Sequence, residues 1–100
     1  FMLKHIVMWK FTDGCGNTKD ENVEIARSGL EALSESVPTL KKITFIKNAV
    51  ECDRNFDALL IVETENEADL EAYKVHPEHQ KVAKFIKEVT VNRGAVDFYD

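Results

Sequence analysis

An α+β fold in the order strand, helix, strand, strand, helix, strand is predicted for this chain of 100 residues. Three observations predict it: a segment whose alternate positions form two different faces opens the chain, two segments carry apolar residues at helical spacing, and three further runs rich in β-branched and aromatic residues lie between and after them. A chain of this length holds a single core, and 44% apolar residues are enough to fill it. Phe1 precedes Met2, where translation would be expected to start, so one domain spanning residues 2–100 is expected.

From Leu3 to Phe11, Leu3, His5, Val7, Trp9 and Phe11 point one way and Lys4, Ile6, Met8 and Lys10 the other, which makes a strand with two different faces. After the turn Gly14-Cys15-Gly16-Asn17, Thr18-Lys19-Asp20-Glu21 reads as a capping box. Val23, Ala26, Leu30, Leu33 and Val37 then recur at spacings of three and four, so a helix is expected from Lys19 to about Ser36, ended by Pro38. Its charged residues, Lys19, Asp20, Glu21, Glu24, Arg27, Glu31 and Glu35, are read as the solvated side. Lys42 to Val50 and Asp57 to Thr64 read as two strands joined by a charged loop around Asp53. Asn66 caps a short helix through Leu70 and Tyr73, and Pro77 starts a second one with Val82, Phe85, Ile86 and Val89 on its apolar face. The second helical region is therefore broken in the middle. Gly94 and the run Ala95 to Tyr99 give a last strand.

Two strand-helix-strand halves in this order give the ferredoxin-like βαββαβ arrangement, a four-stranded antiparallel sheet with helices on one face. The helices should cover the face of the first strand that carries His5, Val7, Trp9 and Phe11, leaving Ile6 and Met8 outward. Such an apolar outer face predicts a homodimer with its sheets packed face to face, a dimeric α/β barrel.

Composition removes several classes of function. Lys plus Arg number 13 against 18 Asp plus Glu, a balance of −5 that argues against nucleic acid and anionic membrane as partners. The longest apolar run, Ala58 to Val62, is far short of the ~20 residues of a membrane span, and no charged-then-apolar leader is read at the start, so a cytoplasmic protein is expected. Cys15 and Cys52 lie in loop-like stretches without C-x-x-C spacing and read as incidental reduced thiols.

With Lys4-His5-Ile6-Val7 and Lys10-Phe11 at the start, Val37-Pro38 after the first helix, Tyr73-x-x-His76-Pro77-x-His79 in the second helical region and Val96-Asp97-Phe98 at the end, the sequence resembles the stress-responsive α/β-barrel family, the dimeric α/β-barrel (Dabb) proteins, over nearly its whole length. The resemblance implies a dimer whose sheets form a joint barrel with helices outside. Many members are linked only to stress, whereas a plant polyketide cyclase of the family, olivetolic acid cyclase, closes an aromatic ring without a cofactor. By that likeness Tyr73 and His79 match the residues that carry the cyclase chemistry, and His5 matches a histidine of the same pocket. Aromatic residues that line the cyclase pocket are replaced by Val23, Ala26, Arg27 and Leu30, and a further pocket histidine by Ala58, so the alkyl-polyketide substrate does not carry over. A looser likeness joins the chain to the dimeric α/β-barrel monooxygenases.

The candidate residues each admit two readings. At the start of its helix His79 sits among amide dipoles that disfavour imidazolium, which leaves a neutral ring as a base for proton abstraction beside a carbonyl, with Tyr73 donating to the developing enolate oxygen. Alternatively His79 bonds a nearby carbonyl and pins the helix break, while Tyr73 fills space between helix and sheet. His5 is either a hydrogen-bonded core histidine or part of a pocket wall. His76 reads as an N-cap at the break. No third ligand joins His76 and His79, so no metal is assigned. The two function classes are thus a cofactor-independent enzyme acting on a small, partly apolar carbonyl compound, with His79 as base and acid, Tyr73 as donor and His5 as orienter, and a non-catalytic, stress-linked dimer.

Overall fold

The computed structural model describes residues 1–100. Its elements run β1 (Leu3–Phe11), α1 (Lys19–Glu31), α2 (Leu33–Ser36), β2 (Lys42–Lys47), β3 (Ala58–Thr64), α3 (Glu67–Val75), α4 (Pro77–Glu88) and β4 (Thr90–Tyr99). The strands form one antiparallel sheet in the order β2-β3-β1-β4, with β1 paired to both β3 and β4. This is the ferredoxin-like arrangement that the residue order predicts. No helix is long and apolar enough to cross a membrane.

The alternation of β1 sorts its residues as expected: Leu3, His5, Val7, Trp9 and Phe11 are buried toward the helices, and the residues between them are half-buried on the other face. Against the inner face pack Val23, Ala26 and Leu30 of α1, Leu33 of α2, Leu70 and Tyr73 of α3 and Ile86 of α4. Trp9 stacks on Phe45 with ring centroids 6.4 Å apart and meets Phe11 edge-on. Helices α1 and α4 approach closely at Gly29, where an added Cβ would lie 3.1 Å from Val82. The absent side chain there is what lets α4 settle over the sheet.

Local signals explain most boundaries. The Thr18 hydroxyl accepts from the Glu21 amide and the Glu21 carboxylate accepts from the Thr18 amide, closing the capping box. Asn66 caps α3 through the Asp69 amide, and His76 caps α4 through the Glu78 amide while Pro77 takes the first helical position.

Three boundaries differ from the sequence reading. The expected helix from Lys19 to Ser36 has a joint at Ala32, whose ψ of −20° is nearer the tighter 3₁₀ turn than the α-helix. β2 stops at Lys47, three residues short of Val50, because Asn48 and Asn55 turn inward on the Val50 carbonyl and close a loop. β4 begins at Thr90 rather than near Gly94: Asn92 and Arg93 lack a strand-like pattern, but pairing with Lys10 and Trp9 holds them in the sheet, with an irregularity between Lys10 and Phe11. Nor are the charges of α1 all merely solvated. Lys19 pairs with Asp57 at 3.0 Å, and Glu24 pairs with Arg27 and with Lys47 of β2.

The loop before α1 is a tight turn in which Gly14 and Asn17 exchange backbone hydrogen bonds while Cys15 and Gly16 both have positive φ. Asn22, fully buried, fixes this turn to the end of β1: its Nδ2 donates to the Thr12 and Gly14 carbonyls and its Oδ1 accepts from Asn17. Asn22→Ala removes the donor to the Thr12 carbonyl, while the Gly14 carbonyl keeps the Asn17 amide, and with the lost packing is expected to lower the unfolding free energy by about 2 kcal/mol. Urea unfolding measures it, and a loss under about 0.5 kcal/mol, the range of an ordinary surface change, would contradict a structural role for this side chain.

Candidate functional site

The break between α3 and α4 puts two candidate residues face to face. His76 takes the extended conformation (φ −61°, ψ 134°) that a following proline imposes. The chain therefore redirects between the last turn of α3, which carries Tyr73, and the first turn of α4, which carries His79. Their ring centroids are 4.4 Å apart. His79 Nδ1 lies 2.9 Å from the Lys74 carbonyl oxygen, and since a carbonyl can only accept, Nδ1 carries the proton and Nε2 is the ring nitrogen left as acceptor. Burial, with smaller repulsion from His5, Lys74 and His76, holds the His79 imidazole below its ordinary range, only partly offset by the Lys74 hydrogen bond.

Tyr73 is almost completely buried, and its hydroxyl has no hydrogen-bond partner among the protein's own groups. Burial pushes its pKa far above the ordinary tyrosine value, so the hydroxyl remains a proton donor at any physiological pH.

His5 approaches from the sheet. Its Nδ1 is 2.5 Å from Asp97 Oδ1, across the register that sets His5 of β1 opposite Asp97 of β4. The carboxylate accepts the Nδ1 proton, which fixes the ring orientation. The ring itself is buried while Asp97 is half-exposed.

All three candidates line one cavity of about 760 Å³ between the helices and the sheet. Val7, Trp9, Leu30, Leu60, Ala83 and Ile86 give it an apolar wall, a combination of apolar lining and few converging polar groups typical of small-molecule sites. Of Val23, Ala26, Arg27 and Leu30 on α1, Leu30 alone reaches this cavity; Val23 and Ala26 are core, and Arg27 is paired with Glu24 on the surface. Trp9, expected as a core residue, is buried and also forms part of the wall. His76 lines none of it and acts as the cap.

Sequence reasoning missed two things. Asp97 was legible only as part of a terminal motif, because its partnership with His5 is set by strand register across most of the chain length. The Cys52 thiol, remote from the cavity, is drawn below its ordinary pKa by hydrogen bonds from the Arg54 backbone and side chain, a basic neighbour that the spacing alone did not assign.

The family described as the Stress responsive A/B Barrel Domain matches residues 3–100. No curated protein matches the chain. A dimeric protein of unknown function with a ferredoxin-like fold from Bacteroides fragilis is similar at 27% identity and a TM-score of 0.78, covering 97% of this chain and 94% of its own. A dimeric ferredoxin-like protein of unknown function from Thermobifida fusca is similar at 26% identity and a TM-score of 0.81, over 97% and 89%. A hydroxynitrile lyase from Passiflora edulis shares the fold at 12% identity and a TM-score of 0.80, over 97% and 91%.

The electrostatics of His79 set a pH dependence. Folded His79 binds a proton less readily than unfolded His79, so the stability that its neutral form supplies is complete above the unfolded pKa of about 6.5 and is lost as pH falls from there through the lower folded value. The urea midpoint of the wild type is expected to fall more steeply between neutral and mildly acidic pH than that of His79→Gln, which keeps an amide donor for Lys74. Parallel curves would mean that His79 is not held neutral by the fold.

Proposed function

This chain belongs to the stress-responsive A/B barrel domain family, and we propose that it is a cytoplasmic homodimer whose helix-sheet cavity performs cofactor-independent acid–base chemistry on a small, partly apolar carbonyl or polyketide-like compound. The observation that carries this reading is the buried Tyr73 hydroxyl without a partner, in ring contact with a histidine whose free nitrogen is an acceptor. A bound carbonyl oxygen would supply the missing partner.

In the proposed step His79 Nε2 removes a proton from the carbon beside the carbonyl, and the Tyr73 hydroxyl donates a hydrogen bond to the enolate oxygen as charge develops there. The same imidazolium then returns the proton to the product. His5, oriented by Asp97, holds the ligand from the sheet side. The bond from His79 to the Lys74 carbonyl braces the helix break, as a non-catalytic dimer would also require; the open cavity and the unpartnered hydroxyl are what favour the acid–base reading.

The dimer is supported by the outer face of the sheet, where Ile6, Met8, Leu59, Ile61, Val96 and Phe98 fall on one side by register. Val96 is 58% and Phe98 39% exposed in the single chain. Dimeric descriptions of the Bacteroides and Thermobifida proteins agree with it. The cytoplasmic location rests on the acidic composition and on two free, exposed cysteines, which suit a reducing compartment.

Deuterium uptake at the carbon between the carbonyls of a 3-oxo ester, followed by proton NMR, tests the chemistry. His79→Ala is expected to slow the enzyme-catalysed exchange by about 10²-fold and Tyr73→Phe by a comparable factor. Because Tyr73→Phe removes a hydroxyl with no partner, its urea midpoint should hold or rise. Exchange no faster than in buffer, or unaffected by both substitutions, would sink the proposal. Separately, the wild type should sediment as a dimer at micromolar concentration and Val96→Asp as a folded monomer; a monomeric wild type would contradict the face-to-face assembly.

A further inference from the structure

The charge of the cavity does not match the charge of the chain. With 18 acidic against 13 basic side chains the protein is anionic, yet no carboxylate lines the cavity, whereas Lys74, Lys87 and Arg93 all do. None of these three is in an ion pair, as is also true of Lys10, Lys42, Arg54 and Lys84 elsewhere in the chain; what sets the three apart is that they share one cavity with no carboxylate in its lining. Asp97, the carboxylate bonded to His5, lines the neighbouring cleft instead.

The three cations come from three elements. Lys74 lies in the last turn of α3, Lys87 in the last turn of α4 and Arg93 on β4, opposite Trp9. A helix C-terminus favours a lysine through its unpaired carbonyls, which accounts for Lys74 and Lys87 singly. It does not account for Arg93, nor for the absence of any acid among the lining residues. Lys74 is half-buried and the other two are exposed, so the positive charge lies on the side of the cavity that reaches solvent, while Trp9, Leu30, Leu60 and Ile86 line its buried part. This division suits a ligand with an apolar body and a charged end.

We infer that the cavity takes a carbonyl compound bearing a terminal anionic group, a carboxylate or a phosphate, which Lys74, Lys87 and Arg93 hold at the mouth while the apolar body lies along Trp9. The inference rests on the reading of this cavity as a ligand site and adds the charge of the substrate to it. Guanidinium and ammonium groups together pair with either oxyanion.

Trp9, the single tryptophan of the chain, is a reporter inside the cavity. Its fluorescence is titrated with octanoate, octyl phosphate and octanamide, which share an alkyl chain and differ in the head group. At low salt at least one anion should bind roughly tenfold more tightly than octanamide, the sum of a few solvent-exposed charge contacts, and the tighter of the two names the group. Added salt should weaken the anion and leave the amide unchanged. In K74Q/K87Q/R93Q the preference should disappear while amide binding remains. R93Q/K87Q alters only exposed residues and should reduce the preference even where the triple variant folds poorly. Equal binding of all three probes would overturn the anionic inference and leave the cavity a ligand site. Failure of every probe to perturb Trp9 would overturn both readings.

Discussion

The two-residue alternation of β1 is the constraint on which the molecule depends. β1 is central, bonded along one edge to β3 and along the other to β4, so its register fixes which residues of three strands share a face. A slip of one residue would turn Trp9 and Phe11 to the outside and bring Lys4 and Lys10 under the helices, which no packing adjustment could absorb. The same register sets His5 against Asp97 and Trp9 against Arg93. Core, anchored histidine and cavity rim therefore follow from one hydrophobic pattern, and the site is as well specified as the sheet.

A second constraint is local. Proline cannot continue α3, and the residue before it is kept out of helical angles, so the chain must turn at His76 and Pro77. An unbroken helix would place Tyr73 and His79 six positions apart and well apart in angle around its axis. The break brings their rings to 4.4 Å instead. His79 reaching back to the Lys74 carbonyl also satisfies a backbone acceptor that the end of α3 leaves free. One imidazole thereby contributes to the fold through Nδ1 and leaves Nε2 as a free acceptor, so the bracing and the proposed catalytic readings of this residue concern different atoms.

What the sequence made legible is what short-range rules govern. The alternation of Leu3 to Phe11, the capping box at Thr18, the cap at Asn66 and the proline start at Pro77 are each decided within a few residues, and each is present in the fold. Tyr73, His79 and His5 were singled out by the family resemblance, and the first two sitting at that break and the third on the buried face made a shared cavity readable as an expectation. The start of β4 was not, since Asn92 and Arg93 are held by partners on β1 rather than by their own propensity. Nor was the Asp97 contact or the convergence of Lys74, Lys87 and Arg93, because each depends on elements that meet only in the folded chain.

A buried hydroxyl without a partner costs about 1–3 kcal/mol, a substantial fraction of the stability of a small domain. The rest of the core avoids such a cost: the buried Asn22 uses both ends of its amide, and Thr64 donates to the Asn66 carbonyl. Tyr73 is the exception, and it is the one buried polar side chain set against an open cavity and an acceptor histidine. Phenylalanine would fill the same space without the penalty, so packing alone gives no reason for the oxygen. The proposed chemistry supplies one, because a donor already bonded within the protein would have to break that bond before meeting a developing oxyanion. In the proposed reaction this hydroxyl, unpaired within the protein, is free to meet that charge without first breaking another bond.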